Sequence, residues 1–175
     1  MLIFLYCRIM AMNANDPTNT SEPFNFDNEQ AYQLYDLSKM DFRIILTGEQ
    51  TRGKYSILEI DFLSDGDQEV PLHVHSRENL VIYVMEGDFL FRYGGDVISS
   101  SKDKILILDK DIPHSYRKIG KGKGSLSIMF IPAGFEHFFK DLGLTHHHDS
   151  DRERNEEQIL LHLLEKKYGG KFVFG

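Results

Sequence analysis

Residues 66–75 read Gly66-Asp67-Gln68-Glu69-Val70-Pro71-Leu72-His73-Val74-His75, and later in the chain a third histidine follows a proline in Asp111-Ile112-Pro113-His114. On a β-strand, residues i and i+2 project from the same face, so the imidazoles of His73 and His75 converge on one point. A third imidazole, His114, brought in by an adjacent strand would complete a three-nitrogen set. Such a set suits a divalent transition metal: Fe, Ni, Cu, Zn or, less well, Mn.

Outward from this stretch the chain is a succession of short apolar runs broken by turn residues, as expected of antiparallel strands. The runs are Phe42–Thr47, Tyr55–Phe62, Leu72–His75, Leu80–Met85, Phe89–Tyr93, Ile105–Leu108, Ser115–Lys118 and Ser125–Ile131. Closure into a sandwich or barrel would remove the exposed edges of so many short strands. The expected fold is therefore all-β, an antiparallel barrel.

The period then changes. Phe135, Phe138, Phe139 and Leu142 recur at helical spacing after Pro132, with Gly143 as the expected stop. Ser150 and Glu153 have capping-box spacing and open a second helix with Ile159, Leu160, Leu163, Leu164 and Tyr168 on one face, ended by Gly169-Gly170. Phe172-Val173-Phe174 reads as an edge strand or a tail packed on a neighbour. Residues 11–30 are rich in Asn, Asp, Thr, Ser and Pro, which reads as a flexible arm. The expected organisation is an arm over 1–31, a β-barrel over 32–145 and a helical extension over 146–175.

The chain has 175 residues and a formal charge of −7, with 20 Lys+Arg against 27 Asp+Glu. That sum argues against electrostatically driven nucleic-acid binding. The basic run from Arg117 to Lys123 reads as a turn carrying solvated lysines. Residues 1–7 are apolar but far short of a bilayer span, and Met10 or Met12 is a candidate true start. With a single cysteine, Cys7, no internal disulfide forms, and the expectation is a cytoplasmic protein with no membrane partner.

Together these residues resemble the cupin superfamily. Gly66 to His75 followed by Tyr83-Val84-Met85-Glu86-Gly87 is similar to its first signature, and Asp103 to Pro113-His114 is similar to the second. Ile45-Leu46-Thr47-Gly48, Phe91-Arg92-Tyr93-Gly94-Gly95 and Pro132 to Glu136 extend the likeness to single-domain bacterial cupins of the quercetin-dioxygenase-like type. The resemblance implies a jelly-roll, or double-stranded β-helix, with a ligand cavity at one mouth. It also implies a metal at His73, His75 and His114.

The chain departs from that pattern where a fourth ligand belongs. Family members place a Glu four or five residues beyond the second His, and here those positions are Asn79 and Leu80. Asn79 has the favourable parity and an amide oxygen, so it is the candidate fourth ligand. Strand alternation sets Glu78 on the face opposite His75 unless a bulge re-aims it, and Glu78 is the candidate general base. Asp103 and Asp111 stand where turn glycines are usual, and Asp109 where a Pro is usual. Tyr83, Phe91 and Tyr116 are the expected pocket aromatics. His146-His147-His148 reads as a solvated linker, and His137 and His162 as surface histidines.

A metal held by three neutral imidazoles keeps its full charge, which favours an anionic oxygen ligand. The expected function is binding of a small anionic or polyhydroxylated organic molecule. If the chain is an enzyme, the resemblance implies a metal-dependent dioxygenase or isomerase. A metal-free binding or sensing module and a structural dimer are the alternatives, and a homodimer is expected under each.

Overall fold

The computed structural model describes residues 32–37, 40–63, 68–146, 162 and 165–172. In chain order the strands are β1 (Tyr32–Leu37), β2 (Met40–Leu46), β3 (Ser56–Phe62), β4 (Gln68–His75), β5 (Asn79–Glu86), β6 (Asp88–Tyr93), β7 (Asp96–Ser101), β8 (Ile105–Leu108), β9 (His114–Ile119), β10 (Gly124–Ile131) and β11 (Gly170–Phe172). Helix α1 spans Glu136–His146, and residues 165–168 close a second helical segment just before β11.

Period-two burial sorts the residues between core and outside. In β3, Leu58, Ile60 and Phe62 are buried while Ile57, Glu59 and Asp61 are partly exposed. The same alternation gives Leu80, Ile82 and Val84 of β5 and Leu106 and Leu108 of β8 to the interior. One sheet runs β1-β2-β3-β10-β5-β8 and the other β11-β4-β9-β6-β7, all pairs antiparallel. Their inner faces meet in one apolar core, where Phe62 of one sheet and Phe89 of the other pack edge to face at 5.2 Å. The antiparallel β architecture with two short C-terminal helices is as expected.

Several boundaries differ from the sequence reading. β7 is serine-rich and carries little apolar signal, yet it pairs with β6 along its whole length through the Gly94-Gly95 turn. Backbone pairing, unlike the hydrophobic pattern, does not need apolar side chains. Helix α1 runs through Gly143 to His146 instead of stopping there. An internal glycine costs about 1 kcal/mol but ends a helix only when the backbone turns left-handed. Gly169 does turn, at φ 75°, and its N–H bonds the Glu165 carbonyl.

Asp103 and Asp111 take the left-handed conformation themselves, at φ 67° and 65°. The turns that glycine usually serves are thus kept, because a short polar side chain tolerates this region. The lysine run is also corrected. Lys118 lies on the same inward face of β9 as His114 and Tyr116 and is fully buried, its Nζ donating to the Gly120 carbonyl at 3.0 Å; Lys121 and Lys123 are exposed.

The expected arm, the second helix from Ser150 to Leu164 apart from His162, and His147, His148 and Phe174 lie outside the described residues. Among the described residues, no helix is long and apolar enough to cross a membrane.

Gly124 opens β10 where the chain closes on this interior. A Cβ there would lie 2.8 Å from Phe89 Cζ and 2.9 Å from Lys118 Cγ, both packed side chains. Gly124→Ala should therefore destabilise the fold by about 1–3 kcal/mol in denaturant titration. Gly95→Ala, where a Cβ meets nothing within 4 Å, is the control and should change stability little.

Candidate metal centre

Pro71 sits inside β4 and has no N–H for the ladder, and the register between β4 and β9 shifts between Val70 and His73. Past this irregularity His73 pairs directly with His114, the first residue of β9. His75 follows on the same face of β4. Ring centroids are 4.5 Å apart for His73 and His114, 5.1 Å for His73 and His75 and 5.5 Å for His75 and His114. One ring nitrogen from each lies within 4.8 Å of the others, and all three residues are buried.

The hydrogen bonds around the rings orient them. His73 Nδ1 is 2.7 Å from the Pro71 carbonyl oxygen and His114 Nδ1 is 2.9 Å from the Ile112 carbonyl oxygen. A carbonyl only accepts, so in each ring Nδ1 carries the proton and Nε2 keeps its lone pair. His114 Nε2 is buried and has no hydrogen-bond partner. An orphaned lone pair among neutral imidazoles is a costly feature in a metal-free interior. It fits a divalent metal, which needs deprotonated nitrogen.

Burial is the largest influence on all three rings. It holds His73 well below its ordinary value, with the His114 and His75 charges adding to the effect; it lowers His75 to about 3, and it lowers His114 against the opposing Ile112 bond. The imidazoles are therefore neutral at neutral pH, the state that ligation requires.

Glu78 is placed differently from the parity argument. Residues 76–78 leave the strand between β4 and β5, so alternation does not apply to them. Glu78 is buried, and its Oε2 lies 3.7 Å from His75 Nδ1. Burial pushes its carboxyl up to about 7, opposed by Arg77.

Asn79 is exposed and its Oδ1 accepts the Lys110 N–H at 2.8 Å, which ties the start of β5 to the turn preceding His114. The structure does not bring Asn79 into the imidazole group. Leu80 faces the core.

Of the expected pocket aromatics, Tyr83 is on the outer face, because Leu80, Ile82 and Val84 take the inner one. Its hydroxyl donates to Asp103 Oδ1 at 2.5 Å. Phe91 and Tyr116 are inside, with their rings 5.8 Å apart and Tyr116 6.2 Å from His73. Burial raises the Tyr116 phenol, which stays protonated.

Two aromatic neighbours of the rings are not foreseen as such from the sequence. Phe135, expected on the helix face, lies 4.2 Å from the His75 ring, and Phe172, expected in an edge strand or a packed tail, lies in the edge strand β11, 5.7 Å from His73. Phe172 arrives because β11 pairs with β4, Gly170 opposite His75 and Phe172 opposite His73. Ser76 holds that segment through its N–H and hydroxyl, both on the Gly169 carbonyl, and Arg77 donates to the Lys167 carbonyl at 3.1 Å.

A second group, Glu49, Glu136 and His137, is of another kind. Glu136 is buried and already accepts the Gly48 and Gly134 N–H groups at 2.8 and 2.7 Å, locking the start of α1 to the β2–β3 turn. Glu49 is exposed there. His162 is exposed, and His146 ends α1.

In the metal-free protein the buried imidazoles stay neutral down to about pH 3 at His75, while an unfolded chain takes up protons below about 6.5. Their stabilising contribution is present above about 6.5 and is lost as pH falls. Glu78 acts in the opposite sense between 4.5 and about 7, one group against three. His75 alone is worth on the order of 5 kcal/mol when its full shift is expressed. Denaturant unfolding of chelator-treated protein at about pH 7, 5.5 and 4 should show stability falling by several kcal/mol, and a flat profile would contradict the burial of neutral rings.

The fold and centre can be set beside known proteins. A cupin of the RmlC-like type from Shewanella frigidimarina NCIMB 400 superposes with TM-score 0.53 at 23% identity, over 67% of this chain and 96% of that one. KdgF from a Halomonas species gives TM-score 0.51 at 14% identity, over 64% and 97%. A predicted oxalate decarboxylase from Thermotoga maritima gives TM-score 0.50 at 18% identity, over 53% and 80%. These likenesses establish the cupin fold. No curated protein sequence matches the chain. The family model of the AraC-like ligand-binding domain matches residues 60–165, a span that holds all three histidines and well over half of the sequence. The chain thus carries the cupin barrel with a three-histidine group inside it, and it belongs to the AraC-like ligand-binding domain family.

Proposed function

We propose that the protein binds a small organic molecule through a divalent transition metal held by His73, His75 and His114. The observation that carries this reading is the buried, unpartnered Nε2 of His114 beside two further neutral imidazoles. A metal bound there would supply a Lewis acid or oxygen-binding centre for oxygenation or isomerisation. Among the described residues no carboxylate joins the imidazole group, so the ion would keep its positive charge and favour an anionic oxygen on the ligand, as in an enolate, a 2-oxo acid or a sugar acid. Phe130, Phe135, Phe172 and Tyr116 around the rings exclude water and strengthen that attraction.

A second reading, a binding module that uses no metal, is favoured by Leu80 at the usual carboxylate position and by the engagement of Asn79 with Lys110. It predicts a ligand-induced thermal shift unaffected by chelator.

We also propose a homodimer. Val97 of β7 and Ile107 of β8 are 67% and 64% exposed, on strands that end the two sheets, and a twofold contact between copies would cover them.

Protein purified without a metal-affinity column should take up about one equivalent of Co²⁺, Ni²⁺ or Zn²⁺ by calorimetry, and His114→Ala should weaken uptake at least ~100-fold. Wild-type protein that takes up none sinks the metal reading. Ile107→Lys should convert the dimer to monomer in sedimentation velocity, and a wild-type chain that stays monomeric as concentration rises contradicts the dimer.

A further inference from the structure

Two of the three imidazoles have an acceptor bonded at Nδ1, and the third faces a carboxylate that stands beyond hydrogen-bond distance. For His73 and His114 the acceptor is a backbone carbonyl two residues earlier in the chain. His75 has no such bond. The group that faces its Nδ1 is Glu78 Oε2 at 3.7 Å, and both atoms are buried and otherwise unpartnered. Glu78 stands outside the set of mutually close ligand atoms, which comprises the three imidazoles. It therefore approaches the centre through His75.

Resting on the metal reading above, we propose that Glu78 is the positioning residue of His75: its carboxylate accepts the Nδ1–H and so keeps the Nε2 lone pair directed at the point shared with His73 and His114. A contraction of roughly 0.7 Å, within reach of the Glu78 side-chain torsions, brings the pair to hydrogen-bond distance and satisfies both orphaned atoms. The Glu78 carboxylate then stands behind His75, outside the group of three ring nitrogens. Carboxylates in this position fix the tautomer and orientation of a ligating ring and make it a better donor. An ion bound there would be held by His73, His75 and His114 and by no carboxylate among the described residues.

Long-range ¹H–¹⁵N spectra of the metal-free protein read the tautomer of each ring directly. In the wild type all three should carry the proton on Nδ1. Glu78→Leu should move His75 to the Nε2–H form with His73 and His114 unchanged, and Glu78→Gln, which keeps an acceptor oxygen, should restore Nδ1–H. Co²⁺ affinity should fall about 10–100-fold in Glu78→Leu and recover most of that loss in Glu78→Gln. A wild-type His75 protonated on Nε2 overturns the proposal without any variant. So does a Glu78→Gln protein that loses Co²⁺ as completely as Glu78→Leu, since that marks the charge itself as a ligand. A wild-type Nδ1–H tautomer that depends on residue 78, in a protein that binds no Co²⁺, leaves the positioning role standing while the metal reading fails.

Discussion

The pairing of β4 with β9 is the constraint on which the centre depends. It sets His73 directly opposite His114, and β4's own alternation then delivers His75 to the same interior point. Pro71 is the local cause of its geometry. Lacking an N–H, it coincides with the break in the ladder, and its carbonyl meets His73 Nδ1. One residue thus links strand irregularity to ring orientation. The same pairing brings Tyr116 and Lys118 onto the inner face of β9.

Burial converts this placement into chemistry. Three imidazoles inside an apolar core are held neutral because the charged form would have to leave water, and the two backbone carbonyls decide which nitrogen stays bare. Aromatic rings complete the enclosure from elements far apart in the chain. Phe130 comes from β10, Phe135 from the residue before α1 and Phe172 from β11. The buried Glu136 carboxylate fastens the start of α1 through Gly48 and Gly134, so the position of Phe135 depends on a contact with the β2–β3 turn. Among the described residues no carboxylate stands with the three imidazole nitrogens.

Much of this was legible along the chain. The alternating runs gave the strands of the core, and the His-x-His spacing with Pro113-His114 gave the three rings, because side-chain direction on a strand follows from parity alone. Legibility failed where parity failed. Glu78 lies in the connection between β4 and β5, where no alternation holds, so its approach to His75 could not be read from spacing. Tyr83 obeyed parity but on the outward phase, which is set by the neighbours of β5. Asn79 had the parity of a ligand and was drawn instead to the Lys110 N–H. β7 was hidden because backbone pairing leaves no periodic mark in serine, and the C-terminal edge strand was legible without its partner β4, which lies far away in the chain.

The sequence by itself determined the strand-rich class, the family likeness and the identity of the three imidazoles, since these rest on local periodicity and on residue types a few positions apart. Only the tertiary structure decided that Lys118 is buried, that Phe172 packs on His73, and that Glu78 faces His75. Each of those depends on which strand lies beside which and where a turn points, and such long-range pairings arise from the closing of the whole barrel.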